Sequence, residues 1–293
     1  MSFVSYLVAG IGLGSIYAIM ALGYTMVYGI AKMLNFAHGD IIMVGSYVIF
    51  YAVGTYHLNP YLSILISMVF CTALGMLIER IAYKPLRKAA PLAVLITAIG
   101  MSYLLENVAL LAFGADTKAF PDVFKLPAIS LAGGRLVIPG ITVLTIIICI
   151  AIIVGLQLFV NKTRKGQAML AVSEDREAAT LMGVNVNSTI AMTFAIGSGL
   201  AAIAGVLFCA RYQALNPYTG AIPGIKAFTA AVFGGIGSIP GAFIGGLLLG
   251  IIESLSSAYI SSQLANAIVF AVLIVVLLVK PTGILGKKVQ EKV

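Results

Sequence analysis

Apolar runs of membrane-crossing length recur along almost the whole chain. Val4–Ile30, Tyr61–Ile78, Leu92–Gly114, Val137–Val160, Thr189–Ala210 and Gly241–Ile260 are the longest, with shorter runs at Ile41–Thr55, Ala227–Ile239 and Leu264–Val279. A helix crossing the hydrocarbon core needs about 17–25 mostly apolar residues. The 293 residues are only 10% charged, against about 25% in ordinary soluble domains, so the chain has too few polar groups to coat a water-facing surface. Inside lipid, backbone groups must bond within their own segment, and these runs are too long for barrel strands. The expected fold is therefore all-α, a polytopic transmembrane helical bundle of about 8–9 membrane segments. Residues 1–293 are read as a single transmembrane domain.

The formal net charge of +8 would suggest nucleic acid in a soluble protein, but in a membrane protein it first reports topology. Lys and Arg in short loops mark the cytoplasmic side. Arg80, Lys84, Arg87 and Lys88 follow the third run, Lys162, Arg164, Lys165 and Arg176 follow the fifth, and Lys280, Lys287, Lys288 and Lys292 lie in the tail. The loop 115–136 is balanced instead, Asp116 and Asp122 against Lys118, Lys125 and Arg135. With the basic clusters inside, the N-terminus falls outside and the C-terminus in the cytoplasm. No basic residue precedes the first run and no small-residue cleavage site ends it, so that helix is expected to remain. Membrane lipid is then the surrounding partner, and nucleic acid has no role.

Two stretches do not read as simple spans. "LNFAHGDIIM" (Leu34–Met43) gathers Asn35, His38 and Asp40 around Gly39. These three either line a translocation path or brace a helix break, with Asp40 as N-cap of the next span. The run Ala227–Ile239 would reach only about 20 Å as a helix, which suggests a broken or re-entrant segment. The glycine pairs Gly241/Gly245 and Gly246/Gly250, four residues apart, permit close helix contact or line a path. Glu106 and Glu253 fall within apolar runs, where charge is costly, and are expected as neutral, hydrogen-bonded acids or at the interface.

Asn59-Pro60-Tyr61 and Asn216-Pro217-Tyr218 are read as helix starts, Asn as N-cap and Pro at the first helical position. Tyrosine in each, where paired channel boxes carry alanine, argues against a channel of that kind. Cys71, Cys149 and Cys209 sit in apolar runs as small, reduced apolar side chains. His38 and His57 are too few and too distant for a metal centre. No metal, cofactor or catalytic residue is expected.

Against this background the segment Asn161–Asn187 stands out, because it collects seven charges. Ser173 is expected to cap a helix from Glu174 to Met182, with Glu174, Asp175 and Glu177 in its first turn and Gly183 as its stop. Ala178, Leu181 and Met182 would share a face. A helix this short is marginal alone and should dock on something.

Glu177-Ala178-Ala179 followed by Gly183 matches the E-A-A-x-x-x-G half of the signature of ABC-importer membrane subunits. The family's further I-x-L-P element is missing, since "TFAI" stands at Thr193. Together with "GLGSIYAIMALGYTMVYGIAKMLNFAHGD", "EDREAATLMGVN" and "GIKAFTAAVFGGIGSIPGAFIGGLLLG", the chain from about residue 5 to 285 resembles branched-chain amino-acid permeases of the LivH type. That resemblance implies a bacterial inner-membrane permease subunit with a coupling loop at about 161–188, docked in a groove of an ATP-binding subunit through Asp175, Arg176, Glu177, Ala178, Ala179 and Gly183. It further implies two cytoplasmic ATP-binding subunits, a second related permease subunit and an extracytoplasmic substrate-binding protein. The substrate would be leucine, isoleucine or valine; urea, amides or other amino acids fit the same family.

Consistent with a borrowed motor, the chain contains no G-x-x-x-x-G-K-[ST]; "GILGKK" has Pro281 and Lys288 at two required positions. "GIGLGS" has Ser15 where a dinucleotide fingerprint needs glycine. The chain is not expected to be an enzyme. A self-sufficient channel or ion-coupled carrier is the competing class, separable because it would move substrate without ATPase partners.

Overall fold

The structure, a computed structural model, describes residues 2–87, 89–131 and 136–286. Lys88, Arg135, Lys287, Lys288 and Lys292 lie outside the described residues. Helices follow in the order α1 (Ser2–Ala31), α2 (His38–Gly54), α3 (Pro60–Ile78), α4 (Pro91–Phe113), α5 (Gly140–Lys162), α6 (Arg164–Glu174), α7 (Arg176–Leu181), α8 (Val186–Tyr212), α9 (Ala221–Gly234), α10 (Ile239–Tyr259) and α11 (Ala265–Val279). Among the described residues, six continuous helical stretches are long and apolar enough to cross a membrane: 3–31, 60–86, 91–113, 140–162, 186–212 and 239–259. The helices α2, α9 and α11 are apolar but shorter.

Among the described residues the bundle is built of helices, apart from two small strand pairs. Lys118–Ala119 (β1) pairs antiparallel with Ala214–Leu215 (β4), and Ile129–Leu131 (β2) with Leu136–Ile138 (β3). The first pair fastens the segment that follows α4 to the segment that follows α8.

Local chemistry sets the helix ends. Asn59 caps α3 through Tyr61 N–H at 2.9 Å with Pro60 in its first turn, Asn185 caps α8 through Ser188 N–H at 3.0 Å, and Ser238 caps α10 through Gly241 N–H at 3.2 Å. Within the spans, hydroxyls bond back one turn, as Ser46 to the Ile42 carbonyl at 2.9 Å and Thr193 to the Thr189 carbonyl at 2.9 Å. Such bonds pair these hydroxyls where lipid offers no partner, though the buried Thr25 and Tyr47 hydroxyls have no partner among the described residues.

The helices α1 and α8 are enclosed by the others, while α4 and α5 lie at the periphery. The antiparallel pair α1–α10 forms the spine, and glycines make it possible. A Cβ at Gly250 would overlap Gly14, and one at Gly246 would overlap Ala18. Gly241 and Gly245 instead face Gly234 and Ala230 of α9. Each four-residue pair thus packs a different neighbour, the small-residue contact expected of membrane helices.

The break foreseen at Ala227–Ile239 is present but shifted. The helix begins six residues earlier, at Ala221, and stops at Gly234; Ile239 already belongs to α10. Gly235 (φ +107°) and Gly237 (φ +93°) turn the chain, a conformation that only glycine adopts readily. Gly237 abuts Gly29 near the end of α1, and residues Ile284 and Leu285 bond to the Phe233 and Gly234 carbonyls at 3.0 and 2.9 Å. The end of α9, the end of α1 and the segment after α11 therefore share one end of the bundle.

A second break lies after α1. Lys32 (φ +52°) reverses the chain, and the His38 ring lies against Gly23, about two turns back along α1. Residues 33–37 climb alongside α1 before α2 starts. Asp40 is not the N-cap of that helix. Ala37 holds the cap position, and Asp40 sits in the first turn, where the helix dipole favours an acid. Asn216 is corrected likewise. Its side chain accepts from Tyr218 N–H at 2.9 Å and so caps a turn, while α9 starts later, at Ala221.

Candidate coupling surface and intramembrane sites

The charged segment folds as two helices where the sequence suggested one. Thr163 caps α6 through Gly166 N–H at 3.0 Å, and a Cβ at Gly166 would overlap the backbone of Val160 and Phe159, so α6 doubles back tightly on α5. Ser173 lies inside α6 and donates to the Leu170 carbonyl at 2.7 Å; it caps nothing. The cap of α7 is Asp175, extended at φ −155°, which accepts from Glu177 N–H at 2.9 Å and Ala178 N–H at 3.0 Å. An aspartate bonds its own backbone two residues on more readily than it continues a helix, which splits the segment there. Glu174 ends α6, leaving Glu177 as the acid in the first turn of α7. Gly183 (φ +83°) stops it, as expected of a C′ glycine.

Ala178 is exposed, and beyond it Leu181 and Met182 are 88% and 84% exposed. Ala179 points the other way and is buried, so it packs the body of the bundle. Arg176 donates to the carbonyl of Ala31, the last residue of α1. A helix's last carbonyls lack intrahelical donors, so a cation there is favourable. Burial first, and the positive charge of Arg87 second, push the Arg176 pKa below its ordinary value. Arg87 itself pairs with Glu79, which is 3% exposed, and donates to Asn187 near the start of α8. The short helix is thus tied to α1, and the neighbouring Arg87 ties the end of α3 to α8.

Of the three residues read as path or brace, Asn35 accepts from the Tyr83 hydroxyl at 2.9 Å. His38 is sealed between Gly23 and the Tyr24 ring, whose centroid is 4.6 Å away. Of the three, Asp40 lines a cavity of about 210 Å³ that Asn35 and His38 do not line and that Glu106 from α4 also borders. Glu106 is 9% exposed, within the membrane-length part of α4 and not at its end.

Glu253, expected as a neutral, hydrogen-bonded acid or at the interface, is hydrogen-bonded, and one of its partners is a lysine. Its Oε1 accepts from Lys226 Nζ at 2.6 Å, and its Oε2 accepts from the Tyr17 hydroxyl at 3.0 Å. The pair joins α9 to α10 beside α1 and borders a second cavity of about 460 Å³. A family model described as the permease component of a branched-chain amino acid transport system matches residues 6–277. The chain belongs to that family.

Among its relatives, the high-affinity branched-chain amino acid transport system permease protein LivH of Salmonella typhimurium is 45% identical over 302 residues, covering 99% of this chain and 98% of LivH. The corresponding BraD of Pseudomonas aeruginosa is 43% identical over 303 residues, covering 99% and 98%. A probable LivH of Methanocaldococcus jannaschii is 31% identical over 288 residues, covering 93% and 89%.

Sequence reasoning passed over Lys226 and Glu79 in this branched-chain permease. Lys226 was legible as the sole cation of the glycine-rich stretch "GIKAFTAAVFGGIG", and a lysine in an apolar run calls for a carboxylate partner. Glu79 stands next to Arg80, which hid its pairing with Arg87 across a π-helical turn, Glu79–Tyr83.

Proposed function

We propose that this chain is the membrane-spanning permease subunit of an ATP-driven, binding-protein-dependent ABC importer for leucine, isoleucine and valine, driven through α7. It works with two cytoplasmic ATP-binding subunits, a second related permease subunit and an external substrate-binding protein in a bacterial inner membrane. Family membership supports the substrate class. The observation that carries the mechanism is the exposed Leu181–Met182 tip of α7, held on a helix whose Arg176 is fastened to the end of α1. An isolated apolar tip on a charged loop invites a protein groove, and Glu177 and Ala178 flank it. Asp175 and Gly183 set the helix ends, and Ala179 seats it on the permease. Displacing α7 would pull on α1 at the centre of the bundle.

The same reading sets the topology. The end bearing Arg80, Lys84, Arg87, Lys162, Arg164, Lys165 and Lys280 is cytoplasmic, the N-terminus is outside, and nine membrane segments include the partial helices α2 and α9. Residues 161–188 form the coupling loop, and Asp40 stands on the translocation path, with Asn35 and His38 bracing the break beside it.

Tagged protein purified from its native membrane should bring down the ATPases, the sister permease and the binding protein. Glu177→Lys should abolish uptake while leaving the chain in the membrane. Solute transport by the isolated chain in liposomes without nucleotide would overturn the reading.

A further inference from the structure

The cavity holding Asp40 lies where two helices begin. Gly39 of α2 abuts Gly220 and Gly224 at the start of α9, and Gly39, Gly220 and Ala221 all line the space. Neither helix has a side-chain cap. The N–H groups of His38, Asp40 and Ala221 already bond the Asn35, Ala37 and Tyr218 carbonyls, so it is the positive end of each helix dipole, more than free donors, that favours a carboxylate here.

Negative charge is placed just as deliberately. Asp40 is 2% exposed; the Ser102 hydroxyl lies beside its carboxyl, yet Oδ2 has no hydrogen-bond partner among the described residues. An unpaired buried carboxylate oxygen is costly. Glu106 brings a second carboxyl to the same cavity from α4, and no lysine, arginine or histidine lines it. Phe36, Ile99 and Ile225 supply an apolar wall.

A cation donor, an anion acceptor and an aliphatic group are what this space lacks, and an aliphatic α-amino acid zwitterion carries all three. On the footing of the amino-acid importer reading, we propose that this cavity is a substrate site within the membrane. Asp40 Oδ2 and Glu106 receive the ammonium group, the starts of α2 and α9 face the carboxylate, and the apolar wall receives the branched side chain.

The complete reconstituted complex provides the test. Ser102→Cys puts a thiol in the cavity wall, and the native Cys71, Cys149 and Cys209 of this chain are buried, so a membrane-permeant maleimide reads that position. Ile99→Cys reports the same wall should S102C fail to assemble. Leucine is expected to slow labelling severalfold, and isocaproate, the same molecule without its amino group, is expected to leave it unchanged. Asp40→Asn should remove the protection and lower leucine uptake about tenfold, the worth of a hydrogen bond to a charged group.

Absent protection in a complex that still takes up leucine with ATP overturns the site and leaves the importer reading standing. Equal protection by isocaproate, or by leucine in D40N, overturns it too. A complex that takes up no leucine sinks both.

Discussion

Lys226 Nζ stands 2.6 Å from Glu253 Oε1, joining α9 to α10 with both side chains nearly out of reach of solvent. Tyr17 of α1 donates to the other carboxylate oxygen, so three helices meet at one charge pair. Breaking a buried pair from one side leaves an uncompensated charge and costs about 3–5 kcal/mol, whereas replacing both partners by neutral residues of like shape is often near neutral. Lys226→Met is therefore expected to lower the thermal unfolding midpoint sharply in detergent, and Lys226→Met with Glu253→Gln to recover most of the loss. If the double variant were as unstable as the single, the pair would not be what holds α9 in place.

A second prediction concerns the α1–α10 spine. A Cβ at Gly250 would overlap the Gly14 backbone, and backbone cannot rotate away as a side-chain tip can. Gly250→Val should cost on the order of 1–3 kcal/mol, the usual price of overpacking, and should reduce the amount of folded permease in the membrane. Gly54→Ala, at a glycine with open space around it, is the control and should behave as wild type in the same midpoint measurement.

The spans were legible because hydropathy alone separates lipid from water, and α3, α4, α5, α8 and α10 stand within a few residues of their expected bounds. What the pattern could not carry was pairing. The Lys226–Glu253 bond links residues 27 apart in sequence, and apolar composition fixes neither helix neighbours nor rotation. The starts of α2 and α9 were misplaced for a related reason. Asn216 and Asp40 are good caps in isolation, but the helices begin elsewhere, where Gly39 packs closely on Gly220, a long-range contact that local capping chemistry does not report. In the charged loop, Ser173 and Asp175 compete as caps two residues apart, and both extents fit the composition. The glycine stop at Gly183 had no competitor and was read correctly.

Arg176 offers a test of transmission as distinct from docking. Its guanidinium bonds the Ala31 carbonyl at the end of α1, and a neutral side chain there would free α7 from that helix without altering the exposed tip. Arg176→Met is expected to leave the ATPases bound and hydrolysing ATP while amino-acid uptake per ATP falls severalfold. Arg176→Lys, which keeps a cation at the helix end but loses the planar fork, should fall between. Equal uptake per ATP in all three proteins would remove Arg176 from the mechanism.

The exposed tip gives the last prediction. Leu181 and Met182 are 88% and 84% exposed, so their replacement removes almost no contact within this chain, and Leu181→Ser with Met182→Ser should leave its thermal midpoint unchanged. If an ATPase groove receives them, the lost burial is about 1.5–3 kcal/mol for each side chain, enough to weaken association roughly a hundredfold or more. Pull-down of the ATPases by the tagged double variant should then fail at concentrations where wild type retains them, and uptake should disappear with it. Wild-type retention of the ATPases by L181S/M182S would mean that α7 does not seat in the motor through its tip.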